Sequence, residues 1–510
     1  MVAAILCATL LPTLCLVISN SNGASISGML AILRGPFIGA FKRSFLLGSG
    51  VAATGLALGW PGGTAIGLVR FPGRRLFLAI LTLPLFTPSF LWAIGMSSFR
   101  PFLAYRHQWW LDGFPGALLT GAVQTLPLVA LASFLSTRTI PVSQLDAAQL
   151  FGGFRAVFKA SARFTAPASL AAAMLGSALA LVDPGSAQIM GYHGVASEIL
   201  IAFSARYDAG LAARKALLTT LLLLPVILVV AWKVSIWSET RLLGRDVRKA
   251  KRRFQGLLPS FIVLGFVLVA LALLFPALTG LTIPLRGTQT LPALKHALTT
   301  LRDSCATTLR YGFTAAIVAT TLGMAMALAC GRKHWLRLGL LLFSCLFLAL
   351  PPSVHALGFA DLAAHVSKSW DWLLRGGNGV GIAFGLRLVP IPALFCLRAW
   401  SLMPESCRLA GMLHGVPGPR YFWRVALPQL RPALLWSSLL VALVSVADVS
   451  STLLLLPPGG ATFTTRIFGV IDNTSQCVLA ALCLVYLASG FLGLCLVSLA
   501  ARLVTRREET

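Results

Sequence analysis

Residues 143–167 read SQLDAAQLFGGFRAVFKASARFTAP, and residues 408–432 read RLAGMLHGVPGPRYFWRVALPQLRP. Each stretch opens with small residues and a glycine, continues with aromatic and basic residues, and ends in a proline before a long apolar run. Glycine permits a sharp turn between short helices, and aromatic plus basic side chains suit a helix on a membrane surface. Each stretch therefore predicts a short helix, a turn and a second short helix, presented to a cytosolic protein.

The two stretches belong to a longer repeat along the chain. Residues that destabilise apolar helices recur at offsets of 263 to 265 residues. The pairs are Pro88-Ser89 with Pro352-Ser353, Pro127 with Pro390, Gly152 with Gly415, and Asp183 with Asp448. Prolines, glycines and acids are costly inside apolar helices, so a shared series of them indicates duplication. We predict a first unit over residues 1–238, a basic linker over 239–256 and a second unit over 257–510.

The composition is that of an integral membrane protein. The chain is 57% hydrophobic and 11% charged, with a mean hydropathy of +0.84. About 20 apolar residues cross the hydrocarbon as a helix, and continuous apolar runs favour helices over barrel strands, which alternate. The fold class is therefore an all-α membrane protein with about twelve transmembrane helices, six in each unit. The predicted spans are, approximately, 2–19, 45–68, 76–98, 115–136, 168–190, 212–236, 257–281, 311–330, 336–358, 379–400, 433–456 and 479–501.

The net charge of +27 marks a membrane orientation rather than nucleic-acid binding. Basic residues gather on the cytosolic side of membrane proteins. With the N-terminus inside, more than half of the 42 lysines and arginines fall on the cytosolic side, the linker included. Both termini are then expected in the cytoplasm, and no nucleic-acid partner is expected.

Cysteine use and the N-terminus give two further expectations. Most of the ten cysteines fall within predicted spans, so no disulfide framework is expected, and pairing of Cys305 with Cys477 outside the membrane stays open. No basic segment precedes the first apolar run, so residues 1–19 are expected to be a retained span rather than a cleaved signal peptide.

The two quoted stretches resemble the "EAA" loop of ABC importer membrane subunits, which runs Glu-Ala-Ala, three residues, Gly, then about a dozen residues to Leu-Pro and a second proline. The first copy keeps the opening as Asp146-Ala147-Ala148 with Gly152 but lacks the first proline. The second copy opens with Leu409-Ala410-Gly411 and fits well from Gly415 onward, through Leu427-Pro428. With the acid-containing stretches after each loop, the chain looks most like the fused double permeases of the iron(III) type.

The resemblance implies partners and roles. Two ATP-binding cassette subunits would grip the cytosolic loops, and a soluble binding protein would deliver substrate from outside to a multi-pass subunit of a bacterial-type inner membrane. ATP would bind the partner subunits, with no cofactor on this chain. The implied coupling residues are Asp146, Ala147, Ala148, Gly152, Ala410, Gly411, Gly415 and Pro428. The resemblance implies iron(III) or a similar small solute as the substrate. The alternative is thiamine or aminoethylphosphonate, which related fused permeases carry.

Three charged residues are candidates for the transport pathway. Asp183 and Asp448 lie near the external ends of their spans, and intramembrane acids are functional candidates because their burial must be compensated. Each acid would either help to bind a cation or cap a following short helix. Arg387, whose counterpart is Gln124, would pair with Asp448, contact an anionic substrate, or snorkel to a water-filled cavity.

Other motifs bear on mechanism. Pro88 and Pro352 are predicted to break their spans, serving either as gates or as tolerated kinks. His355 is expected to be a satisfied core histidine, and the sequence contains no Gly-x4-Gly-Lys-Ser/Thr loop. The alternative function is a twelve-helix secondary transporter, but that class places its distinctive loop between the second and third spans. Here that loop is only Arg70–Arg75.

Overall fold

The computed structural model describes residues 2–21, 31–69, 71–237, 257–331, 333–374, 376–457 and 459–506. These ranges form helices joined by short connections, and they contain no strand. The predicted all-α membrane fold is therefore confirmed. The predicted linker over 239–256 lies outside the described residues.

The first half is a series of helices of very unequal length. In chain order they are α1 Val2–Ser21, α2 Pro36–Leu68, α3 Arg74–Thr82, α4 Ser89–Phe99, α5 Gly113–Thr137, α6 Val142–Val182, α7 Pro184–Ile189, α8 Val195–Ser204 and α9 Ala209–Trp237. Helix α2 contains a π-helical turn over Gly55–Gly59. Short 3-10 segments cover Leu83–Phe86, Arg100–Phe102 and Tyr105–Leu111.

The second half follows a similar order. Its helices are α10 Leu257–Thr282, α11 Thr290–Cys330, α12 His334–Ala349, α13 Pro352–His365, α14 Asp371–Leu374, α15 Gly377–Leu388, α16 Pro390–Leu402, α17 Glu405–Leu413, α18 Gly418–Tyr421, α19 Leu427–Ala447, α20 Val449–Leu455, α21 Phe463–Gly469 and α22 Gln476–Arg506. A π-helical segment covers Phe422–Ala426, and 3-10 segments cover Ile283–Leu285 and Lys368–Trp370.

Broken helices account for the number of spans. Nine of the described helices are long and apolar enough to cross a membrane, and counting each bent pair as one span gives up to twelve. The chain bends by 101° between Arg74–Phe86 and Ser89–Phe102, and by 92° between His334–Ala349 and Pro352–His365. Proline lacks an N–H and disfavours helix in the preceding residue. The predicted breaks at Pro88 and Pro352 are confirmed.

Two spans end earlier than hydropathy predicted. The span predicted over 168–190 stops at Val182, and the one predicted over 433–456 stops at Ala447. At each end an aspartate adopts an extended backbone and begins a new short helix, α7 or α20. The apolar run continues past both breaks, so hydropathy alone does not register them.

The first helix of each half packs against the broken span of the other half. Helix α1 contacts α13, and α10 contacts α4. A Cβ added to Gly358 would lie 2.0 Å from the Pro12 carbonyl oxygen, and one added to Gly280 would lie 1.8 Å from the Gly95 carbonyl oxygen. Both contacts bring helix backbones together, as small residues do at membrane helix interfaces. The two crossed contacts make the halves interdependent.

One apolar cluster joins the halves near the broken spans. It contains Phe90 and Ala187 from the first half and Val449 and Ile467 from the second. The Phe90 ring meets the Phe468 ring edge-on, with centroids 5.7 Å apart. The short helices α7 and α20, which follow the two aspartates, thus lie where the halves meet.

Candidate functional site

The first loop turns sharply at a pair of glycines. Within Val142–Val182 the backbone leaves helical geometry at Gly152 (φ −168°, ψ 20°) and at Gly153 (φ 58°, ψ −153°). The predicted helix and turn are therefore present. The backbone conformation that requires glycine is at Gly153, whereas the sequence motif pointed to Gly152.

The second loop turns at a single glycine. Helix α17 ends at Leu413, and Gly415 follows with φ +62°, a left-handed conformation that favours glycine. The Gly415 amide donates to the Met412 carbonyl, and the Val416 amide donates to the Gly411 carbonyl. These bonds close the helix end, so the predicted turn at Gly415 is where the chain reverses.

The turns present exposed apolar side chains in equivalent positions. Leu150 is 85% exposed and Leu413, 263 residues later, is 87% exposed. Phe151 and Met412 beside them are also exposed. Large exposed apolar groups at a tight turn are typical of a contact with another protein.

The small residues of the two loops divide into two sets. Ala147 and Ala410 are exposed. Ala148 instead packs in a cluster with Phe154 and Phe158, and a Cβ on Gly411 would lie 3.0 Å from the Tyr421 ring. Ala148 and Gly411 thus also contact the next helix of their own chain, and the role of all four residues in partner docking stays a prediction.

The second short helix of each loop is continuous with the following span. Pro167 lies inside α6, and Pro432 lies inside α19, so the proline that closes each stretch lies within a continuous helix. Pro428 sits in the first turn of α19, directly after the π-helical turn over Phe422–Ala426. Asp146 and Pro428 are both partly buried in this arrangement.

Asp183 is a helix cap. Its carboxylate accepts hydrogen bonds from the Gly185 amide at 3.1 Å, the Ser186 amide at 3.4 Å and the Ser186 hydroxyl. Amides at a helix start otherwise lack partners, and a capping oxygen satisfies them. Of the two predicted roles, the structure places Asp183 as the cap of α7.

Asp448 caps α20 and also binds a guanidinium. It accepts from the Ser451 amide at 3.1 Å and the Ser451 hydroxyl at 2.8 Å. Arg387 donates through Nη1 to Asp448 Oδ2 at 2.6 Å, and both side chains are 12% exposed. Of the three alternatives for Arg387, the structure shows pairing with Asp448.

No described cation pairs with the Asp183 cap, although Lys215 and Glu198 pair at 2.6 Å elsewhere in the first half. Gln124, the counterpart of Arg387, donates from Nε2 to the Thr87 carbonyl at 3.2 Å, at the break before Pro88. The Thr87 hydroxyl in turn accepts from the Trp92 indole at 2.8 Å. Gln124 therefore bonds to the first break, whereas Arg387 at the equivalent sequence position bonds to the Asp448 cap.

His355 is buried in the second half. It is 3% exposed on α13, and its ring meets the Phe347 ring edge-on at 5.7 Å. Neither ring nitrogen makes a hydrogen bond of acceptable geometry within the described residues, although the Ala383 backbone is near and Arg387 lies within electrostatic range. The predicted burial of His355 in the core is therefore confirmed, and its nearest polar neighbour is the Ala383 backbone.

The remaining expectations concern metals and thiols. Across the described ranges, no three His, Cys, Asp or Glu residues come together in a group that could hold a metal ion. Cys305 and Cys477 are free thiols, so the disulfide left open by the sequence is not formed. The role of Gly153 was missed from sequence, where two adjacent glycines were the signal for it.

Residues 319–506 match the protein family described as binding-protein-dependent transport system inner membrane component. The chain is also 26% identical over 321 residues to the thiamine transport system permease protein ThiP of Brucella abortus (strain 2308), and equally to that of Brucella abortus biovar 1 (strain 9-941). Each match covers 58% of this chain and 57% of the relative, so the chain spans little more than half the length of these curated relatives.

No solved structure matches the chain. The family and the relatives agree with the resemblance carried by the two loops, and the predicted similarity to ABC importer permeases is confirmed. They do not single out the iron(III) type.

Proposed function

We propose, from the membership of residues 319–506 in the binding-protein-dependent transport permease family, that the whole chain is the membrane subunit of an ATP-driven importer. Two ATP-binding cassette subunits would bind the two loops on the cytosolic face of a bacterial-type inner membrane, with both termini of the chain on that side. A soluble binding protein would deliver the substrate to the opposite face.

The observation that carries this proposal is the pair of exposed turns in equivalent positions. Leu150 and Leu413 are each more than four-fifths exposed, directly before the turns at Gly152–Gly153 and Gly415. Each turn is continuous with a span that ends at an aspartate-capped break where the halves meet. A movement imposed on a turn would therefore be transmitted along one rigid helix to the centre. Coupling is mechanical, because the sequence carries no nucleotide-binding loop of its own.

For the substrate, we propose a small organic solute such as thiamine in preference to iron(III). The relatives are thiamine permeases by name. Iron(III) favours several hard oxygen ligands. Of the two central carboxylates, that of Asp448 is already paired with Arg387. A centre with one unpaired carboxylate suits a solute of low positive charge better than a trivalent ion.

The test of coupling is reconstitution with and without an ATPase chain. Leu150→Asp and Leu413→Asp should reduce co-purification with the ATPase subunits and ATP-dependent uptake. Leu291→Asp is the matched control, because Leu291 is 65% exposed at the start of α11, on the opposite face by the predicted topology. Uptake that persists without any ATPase chain would favour the secondary transporter instead.

The test of substrate is the content of the binding protein. The soluble protein that co-purifies with this chain should hold thiamine or a similar organic solute, and labelled thiamine should accumulate in vesicles that contain all subunits. A binding protein loaded with iron(III), together with uptake of iron and not thiamine, would reverse the order of the two candidates.

A further inference from the structure

The second loop joins its span through a π-helical turn that the first loop lacks. The turn covers Phe422–Ala426, between α18 and α19, and the Leu427 amide closes it by donating to the Phe422 carbonyl. That bond reaches back five residues, whereas an α-helical bond reaches back four, so a π-helical turn holds one residue more. In the first half, α6 is described throughout, and it continues from Gly152–Gly153 to Val182 without a π-helical turn. The two connections from loop to span therefore differ in this turn.

The lengths of the two loops account for the π-helical turn. The turn glycine and the closing proline are 15 residues apart in the first loop (152 to 167) and 17 apart in the second (415 to 432). One extra residue lies in the connection, because helix resumes two residues after Gly152 but three residues after Gly415. The π-helical turn takes up the other. From closing proline to capping aspartate the spacing is again 16 residues in both halves (167 to 183 and 432 to 448).

Prolines weaken the second connection further. Proline has no N–H, so no α-helical bond can reach the Arg424 carbonyl from Pro428, or the Pro428 carbonyl from Pro432. The first loop has Pro167 at the position of Pro432, but it has Arg163 at that of Pro428. Over this stretch the first helix therefore forgoes one backbone hydrogen bond, whereas the second forgoes two and also contains the π-helical turn.

Packing supports the first connection more than the second. In the first loop, Val157 and Ser161 are fully buried on the helix that follows the turn, and Val157 packs in a cluster with Leu68. In the second loop, α18 and the π-helical turn, all of whose residues the structure describes, bury only Ala426 between them. Trp423 within the π-helical turn is 66% exposed. A segment with few buried contacts deforms at a lower cost in free energy.

We propose that the π-helical turn is a hinge between the second loop and α19. The inference rests on the proposed function, in which an ATPase subunit moves each loop. Movement of the first turn would pass along a packed α-helix to the Asp183 cap, whereas part of the movement of the second turn would be taken up at Phe422–Ala426. Sharp bends in helices occur at prolines and at π-helical turns, and both lie here. The first loop would therefore carry the larger share of the coupled movement.

The first experiment measures the hinge in the purified full-length chain. Spin labels carried by a noncanonical amino acid leave the native thiols in place and report a distance distribution for two pairs of exposed positions. Arg420 with Leu435 spans the π-helical turn, and Arg155 with Leu170 spans an equal number of residues of α6 as the control. We expect the second-half distribution to be about twice as broad as the first-half one. Equal breadths would overturn the hinge.

Three variants test whether the extra residue causes the difference. Deletion of Val425 should narrow the second-half distribution to the first-half breadth, because the remaining residues fit α-helical turns. Pro428→Ala restores one N–H and should narrow it partly, so it serves if the deletion does not fold. Insertion of one alanine after Lys159 gives the first helix an extra residue and should broaden its distribution. Unchanged breadths in the variants that fold would overturn the assignment of the hinge to this turn.

Uptake by vesicles that contain the ATPase and binding-protein partners measures the unequal shares. Leu150→Asp should lower ATP-dependent uptake about tenfold and Leu413→Asp about threefold, because more of the transmitted movement is lost with the first loop. Equal losses would overturn the unequal coupling. Absence of ATP-dependent uptake in the wild type would reject the importer itself, and the label distances would still decide whether the hinge is present.

Discussion

Near the centre of each half an aspartate caps a short helix, but the two aspartates bind different groups. Asp183 accepts from Gly185 and Ser186 alone, whereas Asp448 also holds the guanidinium of Arg387 at 2.6 Å. The position equivalent to Arg387 is Gln124, which bonds to a backbone carbonyl. The comparison shows that the cap does not require a cation. Arg387, by contrast, requires an anion, because a guanidinium stays charged when buried.

This difference points to unequal roles for the halves. In the part of the chain that the structure describes, an ion pair stands at the Asp448 cap and not at the Asp183 cap, and His355 lies within electrostatic range of Arg387. A buried ion pair adds little net stability, yet breaking it is costly. We therefore interpret the pair as fixing how α15 and α20 meet in the second half.

The largest expected effect comes from removing the acid. Asp448→Ala should destabilise the protein by about 3–5 kcal/mol, because it leaves Arg387 buried without its partner. Asp183→Ala should cost only about 1 kcal/mol, the value of a lost cap. Thermal unfolding in detergent, with membrane abundance as a second readout, measures both.

The double variant Asp448→Ala/Arg387→Leu is the control for this comparison. It should recover most of the lost stability, because no unpaired charge remains. Equal destabilisation by Asp448→Ala and Asp183→Ala would show that the ion pair does not distinguish the halves.

The next comparison separates the charge of each capping aspartate from its shape. Asp183→Asn should leave uptake near normal, since an amide oxygen still caps α7 at a cost of about 1 kcal/mol or less. Asp448→Asn should lose more, because the amide no longer neutralises Arg387. Uptake by vesicles that contain the ATPase and binding-protein partners measures both variants. Loss of transport in Asp183→Asn would make Asp183 part of the pathway rather than a cap.

A smaller effect should distinguish the two adjacent glycines of the first loop. Gly153→Ala should cost about 1–2 kcal/mol, because its φ of +58° disfavours any residue with a Cβ. Gly152 has an extended φ, but its added Cβ would lie 2.8 Å from the Ala156 Cβ, so Gly152→Ala is opposed by a steric contact rather than by φ. Co-purification with ATPase subunits, alongside the unfolding midpoint, reports the damage of each variant. If Gly153→Ala leaves both readouts unchanged, then the turn does not need a positive φ at Gly153.

Local features of this fold were predictable because local chemistry causes them. Proline itself breaks the spans at Pro88 and Pro352, and glycine itself permits the turn at Gly415. The breaks at Asp183 and Asp448 were harder to place, because an apolar run continues on either side of each acid. Their role as caps was foreseen only as one of two alternatives.

Features that depend on distant contacts were not predictable in the same way. Arg387 and Asp448 are 61 residues apart, so their pairing could be offered only among alternatives. The packing of Gly358 against Pro12 requires the halves to exchange their first helices, and no local pattern encodes that. Which of the two adjacent glycines adopts a positive φ depends on the residue at which the preceding helix ends. The amino-acid composition does not determine that residue.

The smallest expected effect tests the packing inside the loops. Gly411→Ala makes the second loop resemble the first, where Ala148 packs against aromatic rings. Alanine favours a helix over glycine by about 1 kcal/mol, but its Cβ would meet the Tyr421 ring at 3.0 Å. The ring would have to yield by a few tenths of an ångström, and its hydroxyl rests only on the Met403 sulfur at 3.6 Å. We therefore expect a net change within about 1 kcal/mol. A much larger loss of stability, without loss of membrane insertion, would mean that the residues around Gly411 and Ala148 pack differently in the two loops.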